Sequence, residues 1–436
     1  MTSLTCREVT ELQAGDRLWT QWRDLLTRVA PELSIFGPEW FSIWSQTHGA
    51  ADRWTGSLRL LAVIDEADGL RGLMTLSEQN YAGIRIKASA GYFQPWRCIL
   101  ADRDCERDIG RALGDFVARS GWLLCQLGPF RRSSAATASF LDVLNAQKKA
   151  VVTKNSAQLA VCRSPAAWED YKQNILGGKF FRKIGNYERK MERAGRTEIE
   201  HIRRPNPERT QTLVADLAQI EQHSWLVKSA RGKTRFTSPV AQRFWTRLID
   251  EALSPQDRFD AWIIRFNDRP VSFCLTLTAL PTRYVIANQY DEAVADYRTG
   301  STLYRHMIEE GIARGVRTFD FGDGGIEYKQ LWGAEYVDTV ETLLVAPHPL
   351  TSRLLPLAHA ARAWWQSRVP STSKVNADTK VSNAENMESV QSAVASKSPH
   401  DEREETLLSS ANELIETCDG GRSNTANAIG SAVIQA

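Results

Sequence analysis

The chemistry-bearing side chains of this 436-residue chain crowd into one stretch, Arg298 to Trp332. Arg298, Thr299, Gly300, Ser301 and Thr302 lead into a run with Leu303, Met307, Ile308 and Ile312 on one stripe, which is helical spacing. Ser301 or Thr302 can cap that helix, and Gly315 can end it. The first amides of a helix lack backbone partners and sit at its positive dipole end, so they attract anions. Gly300 would let a phosphate approach the backbone. Val316 to Phe321 reads as a short buried strand with Asp320 near its end. A glycine loop with Asp323 follows, then Tyr328-Lys329 on a helical turn. Ligand clefts of open α/β sheets lie at the carboxyl ends of internal strands. Asp320 and Asp323 are therefore candidates to act as a base or to orient an amine. The plainer alternatives are a structural hydrogen bond for Asp320 and an ordinary turn aspartate at Asp323. Tyr328 offers a proton and Lys329 a fixed charge, each with a packing or surface alternative. Being adjacent on a helical turn, they should point about 100° apart.

A second group is Glu221-Gln222-His223-Ser224-Trp225, at the end of a helix expected over Thr212 to Lys228. Glu221 and His223 are two apart and do not share a helical face, whereas Glu221 and Trp225 do. That places a carboxylate beside an aromatic platform suited to a sugar or an amine. The alternative is a plain helix end with His223 favouring the dipole. No Gly-x-Ser-x-Gly, phosphate-binding loop or His-Glu-x-x-His occurs, so hydrolase, kinase and zinc-protease readings have no support.

The order strand, glycine turn, helix, strand resembles the acyl-carrier half of the GNAT acyltransferase fold. Glu221-x-His223-Ser224-Trp225, Phe319-Asp320-Phe321-Gly322 and Tyr328-Lys329-x-x-Trp332-Gly333 carry a closer resemblance. It is to the FemAB-like branch and, within it, to CelD/BcsL-type acetyltransferases linked to cellulose biosynthesis. The resemblance extends weakly over residues 1 to 346. It implies transfer of an acetyl or other acyl group from acetyl-coenzyme A to an amine or hydroxyl of a polysaccharide or cell-envelope precursor. Arg298 to Thr302 would cradle the donor, and Tyr328 would be the general acid. Lys329 would stabilise a developing oxyanion. Asp320, Glu221 and His223 would be further catalytic candidates, with Trp225 and Asp323 contacting the acceptor. No metal is expected. The usual glycine motif is degraded, because Tyr297 and Thr302 stand where a basic or Gln residue and a second small residue are common. That departure leaves two alternatives: a FemAB-like aminoacyl transferase using aminoacyl-tRNA, and a non-catalytic scaffold of a polysaccharide synthase.

These residues need a frame. The second half of the chain reads as a hairpin (Ala261 to Phe266, Val271 to Leu280) turning at Asn267-Asp268. A strand (Arg283 to Gln289), the helix and the Val316 strand follow. The first half shows the same order: a hairpin from Ser57 turning at Asp68-Gly69, a strand from Ile84, a helix with Ile109 and Leu113, and a strand from Trp122 to Leu127 before a Gly128-Pro129 loop. Repetition at comparable spacing suggests a duplicated unit. The expected fold is therefore α/β (α+β): two tandem GNAT-like modules, each a mixed sheet flanked by helices, at 1–165 and 206–346. A basic helical connector would span 166–205 and an amphipathic closing helix 347–370. The 371–436 tail holds no aromatic residue and reads as disordered.

Hydrophobic residues make up 42% and charged residues 24%, which is ordinary globular usage. A net charge of +2 gives no global field favouring nucleic acid or a membrane surface. The seven cysteines have no zinc or redox spacing. Met1 to Arg17 lacks the apolar stretch of a signal peptide, and no uncharged run is long enough to span a bilayer. A cytoplasmic protein without an integral membrane segment is the expectation.

Overall fold

The computed structural model describes residues 3–48, 54–81, 84–91, 98–228, 234–323 and 327–368. The tail at 371–436, with Gly324 and Gly325, lies outside the described residues. Residues up to Arg353 form one compact unit, apart from a short piece at 82–84 that is grouped with the remainder of the chain.

The first half contributes β1 (Thr5–Val9), α1 (Arg17–Arg28), α2 (Pro38–His48), β2 (Trp54–Ile64), β3 (Leu70–Tyr81) and β4 (Ile84–Ser89). After them come β5 (Leu100–Ala101), α3 (Glu106–Arg119), β6 (Cys125–Arg131), α4 (Ala135–Ala146) and β7 (Ala150–Arg163). Between the halves stand α5 (Trp168–Tyr171), a π-turn at Lys172–Leu176 and α6 (Gly178–Ala194). The second half opens with β8 (Thr197–Arg203), α7 (Pro207–Gln222), α8 (Trp225–Lys228), α9 (Pro239–Leu248) and a π-turn at Ile249–Leu253. It continues with β9 (Phe259–Phe266), β10 (Arg269–Ala279), β11 (Thr282–Tyr290), α10 (Thr299–Ala313), β12 (Thr318–Asp320), α11 (Glu327–Gln330) and β13 (Glu335–Ala346). Helix α12 (Pro349–Arg368) closes the described chain, with Pro356 inside it.

One mixed sheet holds every strand, in the order β1-β2-β3-β4-β6-β13-β7-β12-β11-β10-β9-β8, with β5 beside β3. This order is two copies of one motif that have exchanged their last strands. In each copy the third strand of an antiparallel set pairs in parallel with the strand after the helix: β4 with β6, and β11 with β12. The next neighbour is then borrowed. β13 pairs with β6, β7 pairs with β12, and β7 and β13 run antiparallel at the centre.

The hairpin turns follow local chemistry. Asn267 and Asp268 both have positive φ, as a two-residue turn matched to strand twist requires. The loop expected at Gly128-Pro129 is instead strand, because β6 runs through it to Arg131. A Cβ at Gly128 would lie 2.5 Å from the Glu341 carbonyl, and the β6–β13 register shifts opposite it, so the ladder absorbs the irregularity. The helix expected from Thr212 to Lys228 is two helices that break at His223-Ser224.

A single core joins the two halves of the chain on one face of the sheet. Trp22, Trp40 and Trp44 of the first half share one buried cluster with Phe244 and Trp245 of α9. Trp40 lies edge-on to Phe244 and Trp245, with ring centroids 6.2 and 6.4 Å apart. Burying each such ring contributes about 2–3 kcal/mol. Two further cores lie under α3 and α4, and under α6 and α10.

Candidate functional site

The cleft begins where two strands part. β11 pairs with β12 only over Thr282, Arg283 and Tyr284, but it runs on to Tyr290. β12 leaves because it follows its other neighbour: Phe321 N–H donates to the Ala160 carbonyl, and Ala160 N–H donates to the Gly322 carbonyl. The residues from Val285 to Tyr290 thus lose a partner on one edge, a gap of roughly 20 Å along the strand.

Helix α10 starts at the mouth of this gap. Neither Ser301 nor Thr302 caps it, contrary to the expectation. The cap position is Arg298, whose backbone is left-handed at φ 51°, ψ 39°, and which provides no side-chain cap. The amides of Thr299 and Gly300 have no acceptor among the described residues, as the geometry of a helix start demands. Thr299 is buried and its Oγ1 has no partner among the described residues. A Cβ on Gly300 would lie 3.0 Å from Asn288 Oδ1. Asn288 Nδ2 in turn donates to the Gly300 carbonyl at 3.1 Å, tying β11 to the helix start.

Beyond β12 the chain folds back on itself. Asp320 is buried, and its Oδ1 accepts from Gly322 N–H at 2.8 Å. Burial pushes its carboxyl up, against that bond and the nearby Arg131 and Lys329 charges. Lys329 is 1% exposed, and its Nζ donates to the carbonyls of Gly322 at 3.2 Å and Asp323 at 2.5 Å. Its third N–H has no partner among the described residues. Burial lowers its pKa, opposed by Asp323 and Asp320. Asp323 itself is exposed.

Tyr328 is half exposed, and its ring stacks on Tyr304 of α10 with centroids 6.3 Å apart. Burial raises its pKa, against a hydrogen bond with Tyr304. Lys329 Nζ lies 5.9 Å from the centre of the Tyr328 ring, so the two side chains face one region despite being adjacent. Tyr304 stands one turn after Gly300, which places Tyr328 and the helix start along one wall. Tyr304 is not among the sequence candidates. Its position four residues after Gly300 on the helix is the available signal.

The second group is arranged differently. Glu221 is fully buried, and its two oxygens accept from the amides of Arg235, Phe236 and Thr237 and from Gln289 Nε2. It fastens the loop after α8 to β11, and the guanidinium of Arg235 reaches the Ile286 carbonyl inside the strand gap. His223 is exposed, with Nδ1 2.8 Å from the Gln219 carbonyl. Trp225 is 55% exposed.

His201, Asp260 and Glu310 also converge within reach of one another. Arg283 and Arg314 already occupy both carboxylates, Arg283 at 2.7 Å from Glu310 and Arg314 at 2.7 Å from Asp260. Burial alone would raise the Asp260 pKa, but His201, Arg283 and Arg314 outweigh it and hold it low. This cluster clamps α10 to β9.

Residues 178–330 match the model of the acetyltransferase (GNAT) domain. A search of the curated proteins returned no match. Among solved structures the chain is similar to FemX, at 11% identity and a TM-score of 0.50 over 80% of this chain and 99% of that one. It is also similar to a tandem GNAT protein from the clavulanic acid biosynthesis pathway, at 12% identity and a TM-score of 0.44 over 79% of this chain and 99% of that one. The fold is thus GNAT-like, a large mixed sheet flanked by helices, and the chain is an acyltransferase carrying a GNAT domain. No helix among the described residues is long and apolar enough to cross a membrane.

Proposed function

We propose that the enzyme transfers an acetyl group from acetyl-coenzyme A to an amine or hydroxyl of a polysaccharide or cell-envelope precursor, in cellulose or exopolysaccharide biosynthesis. The observation that carries the donor half is the strand gap beside β11 with an uncapped helix at its mouth. Phosphate oxygens of the donor would accept from the Thr299 and Gly300 amides, where dipole and free donors coincide. The thioester arm would then lie along Val285 to Tyr290. The acceptor half rests on the resemblance to CelD/BcsL-type acetyltransferases, supported by exposed Trp225 as a surface on which a sugar ring stacks.

In this reading the acceptor nitrogen or oxygen attacks the thioester carbonyl, and its proton passes to Asp320 or water. Burial raises the proton affinity of the Asp320 carboxylate, which makes it a stronger base when ionised. The oxyanion forms near the unpaired N–H of Lys329, whose other two donors hold it against the loop carbonyls. As the C–S bond breaks, Tyr328 protonates the thiolate. Glu221 acts through the loop it fastens, holding Arg235 and Gln289 at the gap. Asp323 and His223, both exposed, would contact the acceptor.

Gly300→Val tests the donor half. The added side chain collides with Asn288 and covers the helix amides, so calorimetric titration should show acetyl-coenzyme A binding at least tenfold weaker in a variant whose circular dichroism is unchanged. Equal binding by wild type and variant would remove the cradle from its assigned place. No binding by the wild type would overturn the donor.

A further inference from the structure

A cavity lies beside the segment that leads into β9. About 280 Å³ in volume, it sits between α1, the turn after it, the start of α2 and the π-turn that follows α9. Leu26, Ile35 and Leu253 give it apolar walls. Three charged side chains line it: Arg23, Glu39 and Arg258. Arg23 and Glu39 pair with each other, with Nε and Oε1 2.6 Å apart. Gly37 leaves room for that carboxylate, since a Cβ there would lie 2.6 Å from Glu39 Oε2.

Arg258 is left over. Its Nη1 donates to the Ser34 carbonyl, and no carboxylate stands within ion-pair distance of it among the described residues. Its backbone is fixed on both sides, donating to the Leu253 carbonyl and accepting from Thr278. Burial lowers its pKa, with Glu39 opposing at longer range. Trp40, 1% exposed, also lines the cavity, and its Nε1 has no acceptor among the described residues. Its edge-on contacts with Phe244 and Trp245 offer at best a weak N–H to ring interaction. The side chains that line this space thus carry one net positive charge and an indole whose N–H has no acceptor among the described residues. Buried groups of this kind normally have partners, and an exception calls for an explanation.

We propose that this cavity is a binding site for a small aliphatic carboxylate, its oxygens held by Arg258 and the Trp40 indole and its hydrocarbon chain packed against Leu26, Ile35 and Leu253. A carboxylate matches the fork of an arginine and can take the indole proton as well. The apolar walls require a tail that a bare inorganic anion lacks. The site is separate from the donor cleft: Arg258 sits beside Thr278, where β10 ends and β11 is about to begin, whereas the strand gap opens toward Tyr290.

The test uses the full chain and the straight-chain carboxylates from acetate to octanoate, with the matching alcohols as controls, read by calorimetry and by the thermal midpoint. Affinity should rise about fourfold per methylene until the chain overfills the cavity. The alcohols should give no shift. Arg258→Gln should abolish carboxylate binding, and Gly300→Val should leave it intact. If Arg258→Gln does not fold, Ala252→Leu serves instead: it narrows the cavity and should move the optimum to a shorter chain. Absence of binding by every carboxylate, equal binding of the alcohols, binding retained in Arg258→Gln, or an unmoved optimum in Ala252→Leu would overturn the proposal.

Discussion

Lys329 carries the sharpest consequence at the level of single residues. It is a buried cation whose partners are neutral carbonyls, so its charge is under-compensated. Lys329→Met keeps the length and removes the charge, and turnover should fall on the order of a hundredfold. Tyr328→Phe should cost less, because water can protonate a thiolate. Steady-state rates with folding checked in parallel measure both. If both variants keep wild-type turnover, the chemistry lies elsewhere. The titration gives an independent reading. Burial places the folded pKa of Lys329 below the unfolded value of about 10.4. The folded state therefore holds this proton less tightly than the unfolded chain, and this group's penalty on folding is full at lower pH and fades as pH rises through the interval. The alkaline limb of the rate profile should accordingly fall below the ordinary lysine value, and Lys329→Met should lack that limb.

Among the elements, the loop between α8 and α9 depends on one carboxylate. Glu221, itself fully buried, satisfies three consecutive backbone amides and a glutamine. Replacing it with alanine leaves those donors unpaired in the interior, at about 1–3 kcal/mol for each group. Glu221→Ala should lower stability by about 3 kcal/mol or more in urea denaturation, and Glu221→Gln, which keeps one oxygen acceptor, by less. A loss under about 1 kcal/mol in the alanine variant would show that the loop does not depend on this anchor. Glu221 and Trp225 were expected on one helical face, but the helix breaks at His223-Ser224 and leaves them on separate helices. The amides that consume Glu221 belong to residues fourteen to sixteen positions away, and no local pattern announces them.

For the whole molecule, the exchanged central strands make the two halves interdependent. β12 has three residues and two neighbours, one of which is β7 from the first half. β13 lies between β6 and β7, both from the first half. A fragment of residues 178–346 therefore leaves β12 and β13 with open edges, which invite aggregation. Circular dichroism and size exclusion should find residues 1–368 folded and monodisperse, and the 178–346 fragment unfolded or aggregated. A monomeric, cooperatively melting fragment would show that the exchange is dispensable. The halves also differ at the matching helix start. α3 opens with Glu106 and Asp108 in its first turn, where α10 has no acidic residue, so only the second module offers an anion the bare dipole.

The chain by itself determined the hairpins and the helices that follow them. Asp68-Gly69 and Asn267-Asp268 are turn chemistry acting over a few residues, and the stripe of Leu303, Met307 and Ile312 is a helical period. The repeated order of elements in the two halves was visible for the same reason. The central strands β7 and β13 were not, because Lys154, Ser156, Asp338 and Thr339 break their apolar patterns, and their pairing comes from partners far along the chain. Tertiary structure alone decided that the last strands change places, that β12 follows β7 away from β11 to open the gap, and that Lys329 turns inward beside Tyr328. Each of these rests on hydrogen bonds or burial between segments distant in sequence, which local propensity does not encode.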